Sequence, residues 1–240
     1  MKTFFERIIC ATLISFSLFK IDQVQSLVPY YYFPTNKNLQ KESETIAINA
    51  YQLLYFGQYK QSLNLAKLAV QINKKDEKLW LILSEAQVAN KLYKKALSSL
   101  NRAQELNSNI SEIYFAKSNI YFQISQLQNA KTSLEKGLKI EPNNHKAIFQ
   151  LGNILLMEKN YLNAIKLFDK SVQIKPDFWQ ALNNQGLAYF ELNKTNLSIK
   201  FFEKAISINE NAEPLLGLAS CLRIKDIKLA LELAKRALNK

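Results

Sequence analysis

The sequence predicts an all-α solenoid of antiparallel helix pairs, with five full repeats and a shortened sixth, and three observations support this. Residues of matched size return every 34 positions: Trp80, Tyr114, Ile148 and Leu182; Ser84, Ser118, Gly152 and Gly186; Ala96, Ala130, Ala164 and Ser198. Two more columns run in phase, Leu100, Leu134, Phe168 and Phe202, then Ala103, Gly137, Ser171 and Ala205. Within each unit the large residues lie three and four apart in two runs, each describing one face of a helix. A polar turn such as Glu158-Lys159-Asn160 divides the runs, and Pro176 ends a unit because proline cannot continue the hydrogen-bond ladder. A fixed period of this length with two helical segments marks a helix–turn–helix solenoid, which is a binding scaffold rather than a catalyst.

Residues 1–26 open with Lys2 and Arg7, followed by an apolar run from Ile8 to Phe19 that closes at Lys20. A basic start, a short apolar centre and a polar end predict an export signal, with cleavage after Ser26. A spanning helix needs about 20 apolar residues, and Lys20 and Asp22 cut this run short. The chain is therefore expected in a periplasm or thylakoid lumen, or at a membrane through the same segment uncleaved. Cys10 has no lipoprotein signature before it. Residues 27–42 begin Leu-Val-Pro-Tyr-Tyr-Tyr-Phe-Pro, where two prolines favour extended backbone. These aromatics either cover the apolar edge of the first repeat or contact a membrane surface or partner.

The repeats occupy 43–240, with units starting at residues 43, 77, 111, 145, 179 and 212. The unit from His145 is the clearest. Ile148, Leu151 and Leu155 form its first apolar face, and Gly152 sits where the partner helix must come close. Glycine there costs about 1 kcal/mol relative to alanine, so packing is the reason for it. Tyr161, Ala164, Ile165, Phe168 and Ser171 form the second face, with Ala164 small enough to admit the first helix.

This pattern resembles the tetratricopeptide repeat (TPR) family, W-x2-L-G-x2-Y then A-x3-F-x2-A then P, over most of the chain. The resemblance implies a right-handed superhelix whose concave surface is lined by first helices. The first unit departs from the motif, with Ile46, Asn49 and Ala50 at the aromatic, Leu and Gly positions. Lys117 and Gln185 replace the usual Leu, so packing there must accommodate a long polar stem. The last unit, Leu215-x2-Leu218-Ala219 then Ala230-x3-Ala234-x2-Ala237, is one residue short in its turn, as suits an end unit facing solvent.

Carried onto this sequence, the family's groove positions give Phe115, Asn119, Phe122, Phe149, Asn153, Leu156, Met157, Asn183, Leu187 and Phe190. A carboxamide both donates and accepts, so Asn119 and Asn153 suit an extended peptide backbone, with aromatics beside them for apolar side chains. Alternatively, Phe115 and Phe149 only bridge neighbouring repeats. Family members that clamp a terminal carboxylate carry Lys at the position held here by Leu81, Phe115 and Phe149, which argues against that ligand. The aromatic entry segment and the unit around Phe178-Trp179 are similar to TPR proteins of cyanobacteria and plastids, some of which assist photosystem assembly. That resemblance implies a role in assembling membrane protein complexes.

The net charge of +12 invites a nucleic-acid partner. Its lysines are scattered through turns and second helices, however, with Glu135, Asp169 and Glu203 among them, which describes a solvated outer face. An exported chain also seldom meets RNA, so helical-repeat nucleic-acid binding through the basic face stands as the alternative to a protein-binding groove. His145 is the only histidine, which leaves no His-based triad or His-rich metal site. Five scattered glycines form no phosphate loop, and the two cysteines form no Cys-x-x-Cys pair. Asn109, Asn193 and Asn196 open glycosylation sequons, which an asparagine-rich chain produces readily. Neither cofactor nor metal is expected, and the chain reads as non-enzymatic.

Overall fold

The structure, a computed structural model, describes residues 36–240 apart from Ile224. The leader and the aromatic run at residues 30–33 lie outside the described residues, so the expectations placed on them are not addressed by it. The chain divides into two units, Met1–Glu42 and Ser43–Lys240. Among the described residues there are twelve α-helices and no strand. In order they are α1 (Asn36–Tyr55), α2 (Tyr59–Ile72), α3 (Glu77–Ala89), α4 (Tyr93–Leu106), α5 (Ser111–Gln123) and α6 (Leu127–Ile140). Then follow α7 (His145–Met157), α8 (Tyr161–Ile174), α9 (Trp179–Glu191), α10 (Thr195–Ile208), α11 (Ala212–Leu222) and α12 (Ile227–Leu238). None of the described helices is long and apolar enough to cross a membrane. Within the second unit each odd-numbered helix from α3 onward packs on the even-numbered helix after it, and each even-numbered helix packs on the odd-numbered one that follows. This is the helical-hairpin solenoid.

The turn inside each pair has one recurring device. Gly57, Lys91, Ser125, Lys159 and Asn193 all have positive φ, between 58° and 72°. The left-handed residue brings the next amide back over the helix end, so Leu92 N–H donates to Gln87 O and Asn160 N–H to Leu155 O, both at 2.8 Å. Only Gly57 adopts this conformation without a Cβ penalty. Lys159→Gly is therefore expected to raise stability by about 0.5–1 kcal/mol, the left-handed cost less glycine's extra entropy. An unchanged or lower urea midpoint would contradict that.

The columns of small residues are the sites of closest approach. Ala96, Ala130 and Ala164 have no exposed surface. A Cβ at Gly152 would stand 2.6 Å from Phe168 Cε1, so the close partner of Gly152 is the Phe168 ring from α8. Lys117 and Gln185 are both buried, and their polar ends reach the preceding repeat's second helix, meeting Gln104 of α4 and Asp169 of α8. Burial, then the nearby Lys136, pushes the Lys117 ammonium below its usual range. In the final repeat the shortening falls in the helix and not in the turn: α11 has 11 residues against 13 in α9. Asp226 accepts from Leu229 N–H at 3.0 Å, so the chain leaves α11 early and restarts as a capped α12.

Candidate functional site: the face of the first helices

First helices of consecutive repeats touch each other directly, α7 against α9 and α9 against α11, so in the second unit they form an inner layer. An open pocket of about 670 Å³ lies on it. Phe149 of α7 lines one side, Gln180, Asn183, Asn184 and Leu187 of α9 form the centre, and Glu213, Leu216, Gly217 and Ser220 of α11 close the other side. Phe149, Asn183 and Leu187 were expected from the sequence. The remaining six were not: Glu213, Leu216, Gly217 and Ser220 lie in a last repeat that reads as an end cap, Asn184 occupies a helix position outside the family's groove set, and Gln180 was left out although it holds a groove position. The signal that could have found Asn184 is Gln150, its counterpart 34 residues earlier.

The other expected residues have varied surroundings. Phe122, Met157 and Phe190 are exposed on the first helices α5, α7 and α9, at 45%, 55% and 39%. Phe115 is half-buried beside Leu134 and Ile154, its ring filling the space a side chain on Gly137 would need, so it serves the core. Leu156 packs on the Leu155–Phe168 cluster. Phe149 does both jobs: its ring lies 4.9 Å from Phe178 and 5.7 Å from Phe168, and it also lines the pocket.

Asn119 and Asn153 are tied to the following repeat rather than free. Gln150 Nε2 donates to Asn119 Oδ1 at 2.9 Å, and Asn184 Nδ2 donates to Asn153 Oδ1 at 2.7 Å. Asn183 Nδ2 in turn donates to Asn184 Oδ1 at 3.1 Å. These amides make a ladder along the inner face that fixes one first helix against the next and still leaves N–H groups to donate. Asn183 is 4% exposed, and its Oδ1 is buried without a hydrogen-bond donor among the described residues.

No group of three or more His, Cys, Asp or Glu is arranged to hold a metal ion among the described residues. Burial, then Lys175 and Lys146, lowers the His145 pKa, while its ring packs edge-on against Phe178 at 5.2 Å, the surroundings of a structural residue. Cys221 is a buried free thiol in contact with Ser198 Oγ at 3.2 Å. Burial raises its pKa, which suppresses the thiolate.

Paired helices, left-handed turns and small-residue columns at one period define a helical-hairpin repeat protein. The Tetratricopeptide repeat family matches at residues 111–144, 145–178 and 179–212, so the chain carries tetratricopeptide repeats there. No curated protein matches the sequence. Among solved structures, MamA from Desulfovibrio magneticus RS-1 is 24% identical with a TM-score of 0.62, covering 68% of this chain and 93% of its own. PilF of Pseudomonas aeruginosa is 14% identical with a TM-score of 0.70, covering 83% and 89%. YrrB, described as a TPR protein with an unusual peptide-binding site, is 19% identical with a TM-score of 0.60, covering 72% and 91%. Identities this low show the fold alone.

Proposed function

We propose that this protein is a non-enzymatic scaffold that holds an extended, apolar-containing segment of a partner protein on the inner face formed by α7, α9 and α11. The carrying observation is the pocket there, where Phe149, Leu187 and Leu216 stand beside the carboxamides of Gln180, Asn183 and Asn184. Apolar walls with a few polar groups suit side-chain burial combined with backbone hydrogen bonding. The description of YrrB as having a peptide-binding site supports a peptide ligand. Selection of random peptides displayed on phage against the full chain tests this. Enriched peptides are expected to bind with little dependence on salt and to lose affinity in Leu216→Ser, a substitution at a half-exposed position. Binding through the lysines to RNA would instead fall steeply with salt and ignore Leu216. That result would replace the groove with the basic face.

Asn119→Ala combined with Asn153→Ala is expected to weaken peptide binding by about 0.5–1.5 kcal/mol per hydrogen bond lost, with helicity intact. Thermal stability should fall as well, because both amides tie neighbouring repeats. A double variant of normal affinity would remove the ladder from the site.

The same proposal places the scaffold outside the cytoplasm, where it would assist assembly of membrane protein complexes. Its support is the basic, apolar and polar order of residues 1–26. Intact-mass measurement of the native protein is expected to find a chain beginning near Leu27. Retention of Met1 in a soluble cytoplasmic pool would contradict export.

A further inference from the structure

Charge in this chain is sorted by layer. Each of the six second helices carries more Lys and Arg than Asp and Glu, whereas among the first helices only α7 does. The inner pocket takes this furthest. In a protein of net charge +12, no cation lines it, and its one charged lining residue is Glu213 in the first turn of α11. Glu213 is exposed and forms no ion pair with a described residue. On α9 the same pocket is lined by the carboxamides of Gln180, Asn183 and Asn184. The pocket therefore offers one full negative charge, beside neutral carboxamides, against the apolar wall of Phe149, Leu187 and Leu216.

We infer that the segment this pocket takes is basic as well as apolar. A Lys or Arg would pair with Glu213, and a neighbouring apolar side chain would lie on Leu187 and Leu216. Resting on the groove proposed above, this specifies the partner's chemistry. The physical basis is complementarity: a cation gains a charge-assisted contact in a partly desolvated site. An acidic segment would meet the carboxylate there with no lysine lining the pocket to offset it. The basic outer layer repels the same cationic partner, so a non-specific encounter on that side is disfavoured and the inner face is selected.

The test runs the phage selection in parallel on the full wild-type chain and on Glu213→Gln, with Glu203→Gln on the exposed outer layer as a control for net charge. Wild-type binders are expected to carry Lys or Arg within a few residues of an apolar side chain. A synthetic wild-type binder should outbind its Lys-to-Gln analogue by about fivefold, as a partly exposed ion pair allows. In Glu213→Gln that gap should close while the neutral analogue binds as before, and Glu203→Gln should keep it open. Binders that depend on Leu216 but show no preference for basic residues would overturn this inference and leave the groove standing. Absence of any binder that depends on Leu216 would overturn the groove itself. Equal loss of both analogues in Glu213→Gln would mean that the carboxylate only supports α11, and would overturn the inference too.

Discussion

Phe202→Ala is expected to destabilise the second unit by about 3–5 kcal/mol, the range for removing a fully buried aromatic ring. Phe202 has no exposed surface. Its ring fills space left by glycines in two different repeats: a Cβ on Gly186 of α9 would stand 2.7 Å from Cε1, and one on Gly217 of α11 would be closer still. The ring is also part of the cluster that includes Leu215, Leu218 and Leu233. Removing it opens a cavity between α9, α10 and α11, and both glycines keep that space from being refilled by a neighbouring side chain. Stability in such arrays is the sum of repeat and neighbour terms, so α11 and α12 should detach first. Hydrogen exchange should then show protection lost in α11 and α12 before α5–α8. Uniform loss throughout, or a change below about 1 kcal/mol, would mean that the ring does not join the two repeats.

Ala164→Leu should cost about 1–3 kcal/mol through overpacking. Ala164 is fully buried on α8, in the column of Ala96, Ala130 and Ser198. The adjacent space is already filled, since the Phe168 ring lies against Gly152 of the facing helix and leaves no room for three more carbons. Ala164→Ser is the matching control. Ser198 holds that position in the next repeat and satisfies its hydroxyl by donating to Gly186 O at 2.8 Å. The leucine variant is therefore expected to lower the denaturation midpoint and the serine variant to leave it near wild type. A leucine variant of unchanged midpoint would mean that α7 and α8 do not pair as described.

The period carried most of the fold because a solenoid repeats the same contacts, so each column reports one junction several times over. Ala164, Gly152 and Phe168 were readable as packing residues on those grounds. The left-handed turns were not, since four of the five residues that adopt them are Lys91, Ser125, Lys159 and Asn193 rather than glycine. Tertiary packing overrides local preference there. Lys117 and Gln185 were recognisable as departures from the motif, but their partners, Gln104 and Asp169, lie on the preceding repeat's second helix and depend on how repeats are rotated on one another. The same rotation explains the site. It brings Asn184 to Asn153 and joins α11 to the pocket, and neither fact has a signature along one helix. Phe149, in the column of Asn183, and Leu187, in the column of Asn153, were legible because they project from first helices at positions that recur in every repeat.

Hydrogen exchange of the full chain with and without a selected peptide tests the central claim most directly. If the inner face is the binding surface, added protection should fall on α9 and α11, with α7 protected around Phe149, and the lysine-bearing helices α8 and α10 should be unchanged. Protection confined to α8 and α10 would contradict a groove and put the interaction on the outer layer.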